Sequence, residues 1–335
     1  MARLSETYTF LSSYRNPEAQ DFVRNLMKQN YTRAVLEHHP FPDSLEEGDI
    51  QNKCNSLVDH IFDHINALQY PLKLFSLFRR LSRSAGQRKS IWFDEFLEAY
   101  ENYKHRTKLK NRYQQLKPYI KGPAYCDVGC GGGDLVAYMK ENHPDIEEVA
   151  GIDVLDWRSE AVRNVIDFQM LDLTQPGVSS RKAYDTLTCL AVLHHIDNRN
   201  GGLEYFLRNL KTAMKSNGKL VVEEDVILPA ADIDSKESVR EQIDRARNTQ
   251  PLFEKFLHFD HENQRDIITI IDFLSNTLVV GVSDMPFPCS FQTLADWEYL
   301  FWENGFVIHD LKIEGFVSSR FNQSSHVIFL LEKEK

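Results

Sequence analysis

Tyr125-Cys126-Asp127-Val128-Gly129-Cys130-Gly131-Gly132-Gly133-Asp134-Leu135 reads as a buried strand that runs into a glycine turn and then a helix. Pro118, Gly122 and Pro123 punctuate the chain upstream, so a new element starts near Ala124. Downstream, Leu135, Val136, Tyr138 and Met139 have helical spacing. The glycines let a ligand come close to the backbone, and the helix N-terminus points free N–H groups at it. Asp127, two residues before the first glycine, suits a ligand with an amino group better than one with a pyrophosphate. The dinucleotide pattern G-x-G-x-x-G/A asks for glycine or alanine where this chain has Asp134.

From this turn onward the chain alternates. Strands are expected at Ala124–Val128, Glu148–Val154, Phe168–Leu173, Asp185–Val192 and Lys219–Val226. Helices are expected between them at Asp134–Asn142, Arg158–Val165 and Leu203–Met214, the second capped by Ser159 or Asp156 and the third closed by Ser216-Asn217-Gly218. Such alternation predicts a parallel sheet with helices on both faces, and ligands on such sheets sit beyond the carboxyl ends of the strands. Asp127, Asp153 and Asp172 fall at those ends. Asp153 follows Gly129 at close to the spacing at which an acid meets ribose hydroxyls, and a carboxylate can accept from two vicinal hydroxyls. Taken singly, each acid is as readily a cap or turn residue. Further on, Thr293 caps a helix over Leu294–Asn304, and Phe306–Ile313 and His326–Leu331 read as two last strands.

Asp127-Val128-Gly129-Cys130-Gly131-Gly132-Gly133 resembles the acidic-x-Gly-x-Gly-x-Gly loop of the class I S-adenosylmethionine-dependent methyltransferases. Asp172-Leu173 resembles that family's adenine motif, and Ala191-Val192-Leu193-His194-His195-Ile196 its Val-Leu-His-His variant. The resemblance covers residues 119–225 and resumes near 293–335. It implies an α/β, Rossmann-like, seven-stranded and mostly parallel sheet with an antiparallel C-terminal strand. Residues 119–225 and 292–335 form this core, with 1–118 as a helical N-terminal extension (a substrate cap or a dimerisation element) and 226–291 as a helical lid insertion. The implied cofactor is S-adenosyl-L-methionine. Its site comprises Asp127, Gly129, Cys130, Gly131, Asp153, Val154, Asp172, Leu173 and Ala191. Asp153 meets the ribose there, Asp172 accepts from the adenine amine, the next N–H donates to the ring, and Val154 lies against the adenine face. The tip of the fourth strand faces the methyl group and the substrate.

His195 at that tip is a candidate general base, because imidazole titrates near neutral pH; the alternative is a structural histidine or one that shapes the sulfonium pocket. Glu224, within Glu223-Glu224-Asp225, is a candidate to orient substrate or bind a basic group, with hydrogen bonding to neighbouring groups as the equal alternative. In the insertion, His258-Phe259-Asp260-His261 offers His261 as a lid base that Asp260 can orient, against the plainer reading of a polar loop. Arg106 or Tyr113 is placed to touch the cofactor's carboxylate. Met285-Pro286-Phe287-Pro288 and Ser318-Ser319-Arg320-Phe321 are expected to border the site.

Composition narrows the function class. The chain has 335 residues, 42% hydrophobic, enough for a core plus additions. No apolar stretch follows a basic start, so no signal peptide is expected, and the apolar run 267–282 is too interrupted to span a bilayer. Five scattered cysteines without zinc-like spacing suit a reducing, cytoplasmic compartment. His60 and His64 stand four apart with no further ligand motif, so no metal is expected. Net charge is −10, yet residues 73–121 hold thirteen Lys/Arg against four acids. That block reads as a solvated helical face or as the footprint of an anionic partner.

The favoured reading is transfer of a methyl group to a small organic acceptor, most simply at oxygen. Nucleic acid and membrane are disfavoured as partners, and a homodimer is left open through the apolar segment Asp266–Leu278. The alternatives are an RNA- or protein-directed methyltransferase using the basic region 73–121, and a non-catalytic scaffold of the same fold.

Overall fold

The computed structural model describes residues 13–39, 46–66, 93–198, 200–276, 290–317 and 323–334. Met285–Pro288, Ser318–Phe321, Cys289 and residues 73–92 of the basic stretch lie outside the described residues, as do the side chains of His64 and Arg106. No helix among the described residues is long and apolar enough to cross a membrane. Cys54, Cys126, Cys130 and Cys189 are free thiols.

The chain divides into two compact units. The first gathers Met1–Lys108, Gln250–Phe287 and Phe316–Ser324. Its N-terminal part supplies α1 (Pro17–His38), α2 (Glu47–Asn66) and α3 (Phe93–Tyr103). Asn16 starts α1 by accepting from the N–H groups of Glu18 and Ala19, and Pro17 at the first helical position loses no bond there. The stripes read from the sequence are core. Phe22, Leu26, Leu57, Val58, Ile61, Phe96 and Tyr100 are all buried. α1 packs against α2 and α3.

The second unit holds Leu109–Thr249, Pro288–Gly315 and Ser325–Lys335. It opens with α4 (Leu109–Leu116) and continues through β1 (Ala124–Val128), α5 (Asp134–Asn142), β2 (Glu148–Asp153), α6 (Glu160–Arg163), β3 (Asp167–Met170) and β4 (Tyr184–Leu190). Then follow α7 (Gly202–Ala213), β5 (Met214–Asp225), α8 (Ala230–Ser235) and α9 (Glu237–Thr249). α10 (Pro251–Leu257) and α11 (His261–Leu274) return to the helical unit. There α11 packs on α1, and Phe22 meets Phe256, Phe259 and Phe316 ring to ring. α12 (Leu294–Glu303), β6 (Phe306–Gly315) and β7 (His326–Lys333) complete the sheet unit. Residues 226–249 thus belong to the sheet unit, and α9 packs on β6.

The seven strands lie in the order β3-β2-β1-β4-β5-β7-β6, all parallel except β7, which is antiparallel to both neighbours. This is the Rossmann-like sheet implied by the resemblance. Two expectations at element ends need correction. The helix over Arg158–Val165 shrinks to Glu160–Arg163, because Asp156 takes the N–H and guanidinium of Arg158 and holds that residue outside the helix, over the Phe168 ring at 4.2 Å. Ser216-Asn217-Gly218 does not close α7. Met214 is already extended and paired with Tyr184, and the three residues form an irregularity at the start of β5. A Cβ on Gly218 would stand 2.9 Å from the Tyr184 carbonyl oxygen, so tertiary contact, not capping, accounts for that glycine.

Candidate active site

The first strand carries the buried carboxylate of the candidate site. Asp127 lies next to last in β1, and parallel pairing sets it beside Gly151 of β2 and Thr188 of β4. Thr188 Oγ1 donates to Asp127 Oδ1 at 2.6 Å. That hydroxyl has a single proton, so the Tyr125 hydroxyl, 2.7 Å from Thr188 Oγ1, donates to it in turn. Burial pushes the Asp127 carboxyl up to about 7, against the Thr188 hydrogen bond and the Arg112 charge, which pull it down; Asp153 adds a smaller upward push.

Beyond β1 the chain folds back over β2. The N–H groups of Gly129 and Cys130 both donate to the Ile152 carbonyl, at 2.8 and 3.2 Å. Gly129 has φ +72°, and a Cβ there would meet Val192 Cγ2 at 2.4 Å, so the tips of β1 and β4 interlock only with glycine at this position. The Cys130 thiol lies over Gly151, where a Cβ would come within 2.6 Å of its sulfur. Gly131 differs in kind. It has φ +52° and nothing within 4 Å of where a Cβ would stand. Its backbone borders open space, as a ligand cradle requires.

Asp153 ends β2 and accepts from Gly131 N at 2.8 Å and from Leu155 N at 3.3 Å. Asp172 stands past the end of β3, which stops at Met170. Its oxygens accept from Thr174 N and Oγ1 at 3.0 and 2.6 Å and from Gln175 Nε2 at 3.0 Å, a turn built by its own neighbours. Leu173 is buried, and its carbonyl takes the Asn209 amide of α7 at 2.8 Å. Val154, Leu155, Trp157 and Met170 are all about half exposed or more at the carboxyl ends of β2 and β3, with Met170 at 65%. Only Val154 is expected from the motif. The run Val154-Leu155-Asp156-Trp157, apolar but for Asp156 and directly after a strand end, is the pattern that marks Leu155 and Trp157.

At the tip of β4, Ala191 has φ +57° and donates to the Glu223 carbonyl at 2.8 Å. Leu193–His195 then form a short tight turn in which both histidines are buried, their ring centroids 4.1 Å apart. Glu224 is not open to a substrate. One carboxylate oxygen accepts from Val192 N and Leu193 N, and the other meets His194 Nδ1 at 2.5 Å. The expectation that it orients substrate is corrected accordingly: both its oxygens are committed to the turn. His261 opens α11 in the helical unit and is exposed. Asp260 does not orient it, because the Asp260 side chain caps that helix by accepting from Asn263 N at 2.8 Å.

Tyr113, expected by position to reach a ligand carboxylate, instead donates to the Asn142 carbonyl at 2.8 Å and packs in the core. Arg112, one residue earlier on α4, is the cation whose charge pulls the Asp127 carboxyl down. It pairs with the buried Glu223 of β5, and Gln115 bonds both Glu223 and Glu314. Nothing in the local sequence of α4 singles Arg112 out, since its partner is 111 residues away.

Comparison with known proteins adds to this geometry. Residues 93–311 match the family described as "Methyltransferase domain". A ubiquinone biosynthesis O-methyltransferase of Rickettsia conorii is 27% identical over 130 residues, covering 37% of this chain and 43% of that protein. The "Probable (S)-tetrahydroprotoberberine N-methyltransferase 2" of Papaver bracteatum is 27% identical over 153 residues, 43% of this chain and 38% of the relative. The chain thus spans less than half the length of these relatives. Among solved structures, an S-adenosylmethionine-dependent methyltransferase from Mesorhizobium loti aligns with TM-score 0.43 and 13% identity over 68% of this chain and 100% of that one.

Proposed function

We infer that this chain, which belongs to the class I S-adenosylmethionine-dependent methyltransferases, transfers a methyl group to a small organic acceptor, at oxygen in the first instance. The observation that carries the reading is the Asp127–Gly131 cradle: a buried carboxylate fed by Thr188, beside a left-handed glycine with open space above it. A ligand with an ammonium group is the natural complement of that carboxylate, and the cofactor has one.

The residues present fit the cofactor. Asp127 would hold the ammonium and Asp153 the ribose hydroxyls, and Arg112, which pairs with Glu223, would add positive charge for the carboxylate. Val154, Leu155, Trp157 and Met170 supply apolar surface for the adenine, the ring's amine going to Asp172 and its edge to the backbone of Leu173. Gly129, Cys130 and Ala191 shape the wall beside the sulfonium. When bound, the cofactor supplies an activated methyl group that needs little further polarisation. The protein's own contribution is to hold the acceptor in line, which accounts for about 7–11 kcal/mol of a barrier at best. His195 is the candidate to remove the proton of a hydroxyl acceptor.

Oxygen is preferred on the strength of the Rickettsia relative's name. The poppy relative, named as an N-methyltransferase, makes an amine the competing acceptor class. Calorimetry with S-adenosylhomocysteine tests the cofactor, and labelled-methyl transfer into a metabolite extract, read by mass spectrometry, identifies the acceptor atom. Tight NAD binding without S-adenosylhomocysteine binding would overturn the reading. Asp153→Ala is expected to weaken S-adenosylhomocysteine by about tenfold, equivalent to about 1.4 kcal/mol. Unchanged affinity would remove Asp153 from the ribose.

A further inference from the structure

We propose that Glu224 is the positioning residue of this site: it locks the turn after β4 and holds the His194 proton on Nδ1, and thereby sets where His195 stands. The proposal rests on the reading of that turn as the methyl-transfer end of the cleft.

The turn needs a lock. Ala191 is the one non-glycine with a left-handed backbone among the described residues, a conformation that L side chains resist. Val192 follows at φ −124°, ψ −41°, neither strand nor helix. The last ladder bond of this edge is Ala191 N to the Glu223 carbonyl, so the N–H groups of Val192 and Leu193 leave the sheet. Glu224, the next residue of β5, collects both on one carboxylate oxygen, at 3.1 and 2.7 Å. Its side chain has no exposed surface, so water offers these groups no substitute.

The other oxygen sets a ring. His194 is fully buried, its Nδ1 2.5 Å from Glu224 Oε2. A carboxylate only accepts, so Nδ1 carries a proton. Phe291 stacks on that ring at 4.7 Å and 24°, and Ser290 N donates to the His194 carbonyl at 2.8 Å. His195 therefore has little freedom. Its N–H is tied to the Val192 carbonyl at 3.0 Å and its ring leans on His194. One acid on β5 thus ties both the backbone of this turn and the His194 ring that stands beside the candidate base. It does so without touching substrate.

Glu224→Gln separates these tasks, because the amide oxygen still accepts the two backbone N–H groups while its NH2 faces Nδ1 as a donor. The test is nitrogen NMR of the full chain labelled with 15N-histidine, with His194 assigned by its loss in His194→Gln. The wild type is expected to show a protonated Nδ1, and Glu224→Gln an unprotonated one. S-adenosylhomocysteine affinity should stay within about threefold, while turnover of the acceptor found by labelled-methyl transfer falls about tenfold at unchanged KM. An unprotonated Nδ1 in the wild type overturns the proposal even if the variant fails to fold, and so does a His194 signal that Glu224→Gln leaves in place. If the tautomer changes as expected but no protein form transfers methyl groups, the functional reading fails and the lock stands.

Discussion

Gly131→Ala is expected to lower S-adenosylhomocysteine affinity by at least about 100-fold, or about 2.7 kcal/mol, while leaving the protein folded. Two costs are separate here. An alanine at φ +52° bears a left-handed strain of about 1–2 kcal/mol, but its methyl meets no atom of the described residues within 4 Å. A sheet unit of this size should then lose only a few degrees in melting temperature, about 2–4 °C per kcal/mol. The methyl nevertheless occupies the space in which a ligand would lie against the loop, so binding bears the larger loss. Gly129→Ala is the contrasting case. Its Cβ would collide with Val192 at 2.4 Å, so the interlocked tips of β1 and β4 must separate and folding itself suffers. Calorimetry and thermal melting on both variants decide the matter. Wild-type affinity in Gly131→Ala would show that no ligand lies over this loop.

The second large effect is a pH dependence of cofactor binding with its break near 7. Burial holds the empty-site Asp127 carboxyl at about 7, and only the ionised form pairs with an ammonium. Affinity should therefore be flat above pH 7 and fall about tenfold for each unit below it, as binding has to displace the proton. The sign for stability runs the other way. The folded carboxyl binds its proton more tightly than an ordinary aspartate, so its effect on the empty protein is most favourable at low pH and is lost as pH rises through about 7. The cofactor supplies the missing positive charge, so its thermal stabilisation should be larger at pH 8 than at pH 6. Asp127→Asn should remove the break and weaken binding by about 30-fold, within the ~1.5–3 kcal/mol range for a hydrogen bond to a charged group. A wild-type profile flat from pH 5.5 to 8 would exclude Asp127 as the ammonium's partner.

Much of this was legible in the chain. The fold class follows from local periodicity: apolar strands alternate with amphipathic helices, and the strand–glycine–helix turn at 125–135 recurs in β1, its loop and α5. Asp153 at the end of β2 is equally local, because a strand's last residue is set by where its apolar run stops. Asp172 shows how far such reasoning reaches. The sequence reads Asp172 as part of a strand over Phe168–Leu173, whereas β3 stops at Met170, and the competition from Thr174 and Gln175, two and three residues on, only appears once the turn is closed. The short α6 has the same cause, a side chain that prefers its neighbour to the helix.

What the chain alone determined, then, is everything written within a few residues: the elements, the glycine cradle and the acids at strand tips. Tertiary structure alone decided the partners. Thr188 reaches Asp127 because β4 lies beside β1 in one register; Arg112 finds Glu223 because α4 comes to lie near the end of β5; and Glu224 holds a turn that belongs to another strand. Such pairings join residues 31 to 111 positions apart. They depend on sheet order and register, and a shift of one residue in a strand would turn its side chains to the opposite face.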